Sequence, residues 1–276
     1  MVVDDHEFRD NWDGSTAPAL DKDFVNGFEA AMAYQSRWNA PEGQRPHLSA
    51  TAVRGFWREF AIGDVPAFAA DTRSERRGKP VADWTLADMM HDEQMAAIER
   101  WLVAHRDQPK VLCTGSVFGF VEEDLLRDPA LCRSSDGWFG YPRSWKRLAA
   151  FIALQQIRNL ILLSGDYHLS AIADLEIEAV GAGAPVRATS VVCSGWNATV
   201  PFANQRARDF RCAERVRAPL SGPEVDMWTT SEVLSTAFRQ FSKLTVVPAP
   251  GGWELQVRVY AEGTWSTPVR VVSRRL

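Results

Sequence analysis

Residues 159–176 read NLILLSGDYHLSAIADLE, and the interpretation of this stretch decides the fold. An aliphatic run, Leu160 to Leu163, leads into Ser164-Gly165-Asp166-Tyr167-His168. A strand apolar at consecutive positions suits burial on both faces, the habit of parallel sheets. Groups that do chemistry in such sheets gather just past the C-terminal strand ends. Asp166 and His168 occupy that place. On extended backbone, residues two apart project to one side. A carboxylate and an imidazole so placed suit one metal ion or two adjacent ones.

Working outward, residues 110–113 read as a strand and 143–157 as a helix. The order strand, loop, helix, strand predicts an α/β layered core. A helix is expected over 85–105, with Met89, Met90, Ile98, Trp101 and Leu102 on one stripe and Thr85 as its N-cap. A long loop is expected from Cys113 to Tyr141. Residues 56–60 and 66–70 read as strands around a Gly63-Asp64 turn, and the charged segment 71–83 as a loop. Residues 22–38 fit a helix, and residues 1–3 the end of a strand. Strands at 186–193, 243–248, 253–260 and 267–273 predict a second, largely antiparallel sheet. No linker or repeat divides the chain, so one domain over 1–276 is expected.

Composition excludes several classes. The chain has 276 residues, 46% of them apolar, which supports a sizeable core. A net charge of −4 lacks the basic excess of a nucleic-acid surface. The four cysteines form no C-x-x-C pair, which argues against a zinc ribbon, and Cys113 and Cys193, in apolar runs, are expected as buried free thiols rather than a disulfide. No Gly-x-Ser-x-Gly elbow is present, which argues against a serine hydrolase. No leader or membrane-spanning run is visible, so a soluble, cytoplasmic chain without a membrane partner is expected.

A second cluster lies at the start. DDHEFRDNW (4–12) packs Asp4, Asp5, His6, Glu7, Asp10 and Asn11 into eight residues. Further stretches are FWREFAIGDVPAFAADTRSER (56–76), Gln94 with Trp101-Leu102, and DGWFGYP (136–142). With residues 159–176, these resemble the PhoD-like (alkaline phosphatase D) branch of the calcineurin-type metallophosphoesterases. They keep the family's order over roughly 170 residues.

The resemblance implies a metallophosphoesterase-like layered α/β/β/α sandwich. It implies hydrolysis of phosphate mono- or diesters, small or polymeric, by a metal-activated hydroxide. Asp5, Asn11, Asp166 and His168 take the metal-ligand places, for Ca, Fe, Mn or Zn. His6 takes the place of the acid near the leaving group. Arg73 is placed to grip a phosphate oxygen, a task that suits a guanidinium fork. Asp4, Glu7, Asp71, Asp136, Trp138 and Tyr141 are secondary candidates. The family domain begins well before DDHE, and that earlier part supplies further metal ligands. The chain is therefore expected to be the N-terminally truncated, C-terminal portion of a full domain. An uncovered sheet edge would then favour a homo-oligomer, and export stays open for full-length relatives. The residues after Cys113, Thr-Gly-Ser, include no histidine for the superfamily's middle metal ligand. The alternative is a catalytically incomplete remnant acting as a binding or structural module.

Overall fold

Val111, Cys113 and Ile161 face one side of a sheet, and Leu112, Leu160 and Leu162 face the other. This period of two, set by the strand pleat, gives the molecule two cores. The structure, a computed structural model, describes residues 4–15, 21–36, 45–49, 53–193, 196 and 202–276, leaving aside the side chains of Asp5 and Ser36.

After a 3-10 turn over Asp5–Glu7 comes helix α1 (Lys22–Ala31), continued by a π-helical turn over Met32–Ser36. Short strands β1 (His47–Leu48) and β2 (Val53–Arg54) pair with each other. The hairpin β3 (Arg58–Ile62) and β4 (Val65–Ala69) follows. Next come α2 (Asp92–Ala104), β5 (Lys110–Thr114), α3 (Glu123–Arg127), α4 (Pro129–Ser134), α5 (Pro142–Leu154) and β6 (Leu160–Ser164). The second half is β7 (Ser170–Ala179), β8 (Val186–Cys193), β9 (Val216–Arg217), β10 (Val225–Ser235), β11 (Gln240–Ala249), β12 (Gly252–Ala261) and β13 (Arg270–Arg275).

Eight strands form one sheet in the order β3-β4-β5-β6-β8-β7-β10-β9. Its centre, β4 to β5 to β6 to β8, is parallel, and the remaining pairings are antiparallel. One face packs against α2 and α5 through Phe68, Leu112, Leu162, Trp101, Trp145 and Ile152. The other packs Ala67, Val111, Ile161 and Val191 against Leu255, Val257 and Val259 of the antiparallel sheet β11-β12-β13. The mixed α/β layering of helices, sheet and second sheet is thus as the sequence implies, except that strand 186–193, expected in the second sheet, is β8 of the main sheet, where it pairs in parallel with β6 because both its faces are covered. Strand β12 alternates buried and half-buried residues because only one face meets the core.

A smaller cluster fixes the chain start. Phe8 and Trp12 each stack on Phe24 at 4.7 Å, and Phe28 meets Phe56 at 4.8 Å. A Cβ on Gly27 would lie 2.0 Å from the Glu7 carbonyl, so only glycine lets α1 approach so closely. The aromatics of DDHEFRDNW therefore anchor the segment. The start of the chain, read as a strand end over 1–3, lies outside the described residues.

Four local expectations need correction. Helix α2 begins at Asp92, not 85. Asp83 instead caps a 3-10 turn over Trp84–Leu86, accepting from the Thr85 N–H (3.0 Å) and hydroxyl (2.6 Å). Met89 and Met90 are buried, but in the connection before the helix. The 114–141 loop holds α3 and α4, the latter started by the Asp128 cap and Pro129. Strands β7 and β10 add to those the sequence predicts. The loop after β4 is a loop, but Asp71 to Arg76 are all buried, against their polar composition.

Candidate active site

The parallel strands β4, β5 and β6 end side by side, so the loops that follow them converge. The loop after β4, DTRSER (71–76), is the most built part. Asp71 Oδ1 accepts the N–H groups of Arg73 (2.9 Å) and Ser74 (2.8 Å). Its Oδ2 accepts the Phe56 N–H (2.8 Å) and the Ser74 hydroxyl. Gln94 of α2 brackets the Asp71 backbone, accepting from its N–H (2.8 Å) and donating to its carbonyl (3.0 Å).

Glu75 closes the loop from below. Oε1 accepts the Gly55 N–H (2.8 Å) and the Trp57 indole N–H (3.0 Å). Oε2 accepts the His91 N–H (3.1 Å) and the Gln94 amide (2.7 Å). Burial, then the neighbouring Asp71 charge, push the Glu75 carboxyl up to about 7 despite these donors. A Cβ on Gly55 would sit 2.5 Å from Asp71 Oδ2 and 3.0 Å from Glu75 Oε1. Glycine is needed there for close approach rather than for its backbone angle.

The loop holds two fully buried arginines. Arg73 Nε meets Asp4 Oδ1 at 2.5 Å, and Nη1 meets Asp136 Oδ2 at 2.8 Å. Burial pushes the Asp136 carboxyl up, but Arg73, Arg76 and Lys79 outweigh it and leave the group below its ordinary value. Arg76 donates to Ser116 Oγ (2.7 Å) after β5 and to the Trp12 carbonyl (3.3 Å). Its guanidinium lies 4.7 Å from the Tyr141 ring centre. Ser116, the last residue of the Thr-Gly-Ser after Cys113, thus helps to hold Arg76. Lys79 donates to the carbonyls of Arg133 (2.8 Å) and Ser135 (2.6 Å), and burial, then Arg76, push its amine down to about 8.

After β6 the backbone turns sharply. Asp166 (φ +72°) and His168 (φ +54°) are both left-handed, and the Tyr167 N–H returns to the Gly165 carbonyl at 2.9 Å. Left-handed non-glycine residues cost roughly 1–3 kcal/mol each and cluster at functional loops. The extended pleat read from Asp-x-His is therefore not how the loop is built. Asn11 is left-handed too (φ +54°).

Beside these loops opens a cleft of about 420 Å³, lined by Asn11, Asp13, Lys79, Asp136, Tyr167, Phe202 and Arg206, among others. Of the residues proposed from the sequence, Asn11 and Asp136 line it, and Asp4 and Asp136 meet on Arg73. Asp71 shapes the Arg73 loop. Tyr141 lies buried beneath Arg76, and Trp138 is buried against Phe118 at 5.3 Å. Glu7 accepts the Asp4 N–H at 2.8 Å. His6 is exposed, 3.8 Å from Asp10, and does not line the cleft. The Asp5 side chain lies outside the described residues. Trp196 stacks on Phe241 (5.5 Å) and Trp265 (5.8 Å), on the second sheet.

Sequence reading passed over Glu75, Arg76, Lys79 and Gln94 as site residues. For the first three the signal is the charge density of DTRSERRGK (71–79), which reads as a solvated loop; for Gln94 it is its place with Trp101-Leu102 among the family-like stretches.

Among the described residues, no three His, Cys, Asp or Glu side chains come together to hold a metal ion. The chemistry of the donor set explains this. Asp4 and Asp136 face Arg73, and Asp71 and Glu75 are saturated by N–H groups. The described donors do not by themselves fit a metal pair.

A mixed sheet with helices on one face, a second sheet on the other and loops converging at parallel strand ends defines a layered α/β sandwich. The sequence profile of the PhoD-like phosphatases matches residues 1–220, and the chain belongs to that family. The solved structure of PhoD is similar, with a TM-score of 0.52 at 16% identity over 99% of this chain. The chain spans about half of that structure, 53% of its length. Among curated proteins, none matches significantly. No helix among the described residues is long and apolar enough to cross a membrane.

Proposed function

We propose that this chain carries a phosphate-ester site of the PhoD-like type and acts in metal-dependent hydrolysis of phosphate mono- or diesters. The observation that supports the reading is that the loop carrying Arg73 and the loop carrying Asp166 and His168 both follow strands of one parallel set, β4 and β6, at the same end of the sheet. Arg73 is the group to hold a phosphate oxygen, since Asp4 and Asp136 fix its orientation before any ligand arrives. Asp166, His168, Asp5 and Asn11 are the metal donors this chain brings, of unassigned preference among Ca, Fe, Mn and Zn. A bound ion would supply positive charge and an activated hydroxide. His6 as proton donor requires its exposed side chain to turn toward the cleft.

A binding or structural module is the second reading, favoured by the absence of a three-donor cluster among the described residues. Metal content after dialysis against each ion, with hydrolysis of 4-nitrophenyl phosphate and bis(4-nitrophenyl) phosphate, separates the two. The enzyme reading expects turnover that Asp166→Ala and His168→Ala abolish and Arg73→Lys lowers on the order of 10²-fold. Turnover indifferent to all three substitutions overturns the assignment. Phosphate binding without turnover selects the module.

A further inference from the structure

Phe202 lies at the cleft with 47% of its surface exposed, large for a phenylalanine set among other aromatics. Tyr167 meets it at 5.8 Å and His168 at 6.0 Å, both at steep interplanar angles of 76° and 74°. Tyr167 in turn meets Phe210 at 5.2 Å, and Phe210 stacks on Phe120 at 5.9 Å. The ring is therefore braced edge-to-face from inside the fold, and neither of these contacts is a parallel stack. Tyr167, Phe202 and Phe210 make one wall of the cleft. Asn11, Asp13, Ser135 and Asp136 belong to its polar lining.

We propose that this cleft selects phosphate esters whose alcohol part carries a planar aromatic ring, which stacks on Phe202. This rests on the phosphoesterase reading and names its substrate class. The geometry supplies both ends of such a molecule. On that reading His168 marks the phosphate end, and its ring centre lies 6.0 Å from that of Phe202, so a ring joined to the phosphate by a few bonds reaches the aromatic wall. A volume of about 420 Å³ lies within the usual range for a small-molecule site. The polar lining can satisfy ring nitrogens or sugar hydroxyls, which an all-apolar slot would leave unpaired. An alkyl or polyol phosphate keeps the phosphate contacts and loses the stacking. Ring–aromatic stacking favours the ring ester on the order of tenfold to a hundredfold.

The test titrates the whole chain calorimetrically, with and without added Mn or Ca. The probes are adenosine 5′-monophosphate, 4-nitrophenyl phosphate, ribose 5-phosphate, glycerol phosphate and inorganic phosphate. The ring esters are expected to bind at least about tenfold tighter than the ringless ones. A nucleotide advantage over the nitrophenyl ester points to a base, and the reverse to a simple aryl group. Phe202→Ala should bring the ring esters down to the ringless level, and Phe202→Trp should keep the preference. Phe202→Leu, which retains apolar bulk, guards against a folding artefact and should also lose it. Equal affinity of ring and ringless esters overturns this proposal and leaves the phosphoesterase reading standing. Failure of every phosphate probe to bind overturns both.

Discussion

Glu75 offers a test of the buried network that positions Arg73. Its carboxyl is pushed from 4.5 up to about 7, by burial first and Asp71 second. Glu75 is 3% exposed, so solvent screens this little. A raised folded value means that the folded state binds the proton more tightly. That stability is complete below the unfolded value, near pH 4.5, and is lost as pH rises through 7. The interval corresponds to roughly 3 kcal/mol, at about 1.4 kcal/mol per pKa unit. Four N–H donors fill the carboxylate and oppose the shift. Glu75→Gln removes the titration but turns an amide N–H₂ toward two of those donors, costing about 1–3 kcal/mol. Urea midpoints of wild type and variant from pH 5 to pH 8 separate the effects. Wild-type stability should fall across this range by an amount absent from Glu75→Gln. A wild-type curve that instead rises, in a manner the variant abolishes, would show that the four donors outweigh burial and Asp71. The account given for this loop would then be wrong in sign.

Three further outcomes are expected. Gly55→Ala places a methyl group 2.5 Å from Asp71 Oδ2 and should destabilise by about 2–4 kcal/mol, from overpacking plus strained hydrogen bonds; a loss under 1 kcal/mol in urea unfolding counts against it. Asp166→Gly and Asp166→Ala both remove the carboxylate and with it function, but only glycine takes the left-handed backbone without strain, so the glycine variant should be about 1 kcal/mol more stable than the alanine one, and equal stability would contradict the strain reading. Strand β3 is a sheet edge among the described residues, with Phe60 (40%) and Ile62 (59%) exposed. Concentration-dependent association should therefore appear in sedimentation velocity and disappear in Ile62→Lys; an identical distribution in both proteins excludes this edge.

The strands were legible where burial imposes a simple pattern. Strand β6 is covered on both faces, and its residues Leu160 to Leu163 read as an unbroken apolar run. Leu255, Val257 and Val259 alternate because one face of β12 meets the core. Strand β10 alternates as well, but Thr229 and Ser231 stand at buried positions, bonded to the carbonyls of Gly119 (3.0 Å) and Phe210 (3.2 Å), which disguised it. Met89 and Met90 fitted a helical stripe by spacing alone, because a buried connection needs apolar residues as much as a helix does.

Sequence by itself determined the family, the α/β layering and the two motif segments, because residue type and local period carry that information without coordinates. It placed Asp166 and His168 at a strand end. It did not show that both are left-handed, since that conformation follows from loop closure rather than residue type. The tertiary structure alone decided the charged loop 71–76. Its polar composition reads as solvent-facing, yet Asp71 and Glu75 are satisfied by N–H groups from distant segments, and Arg73 by Asp4 and Asp136. Buried charge is tolerable only when partners arrive from elsewhere in the chain, and those partners lie as far as 69 positions away.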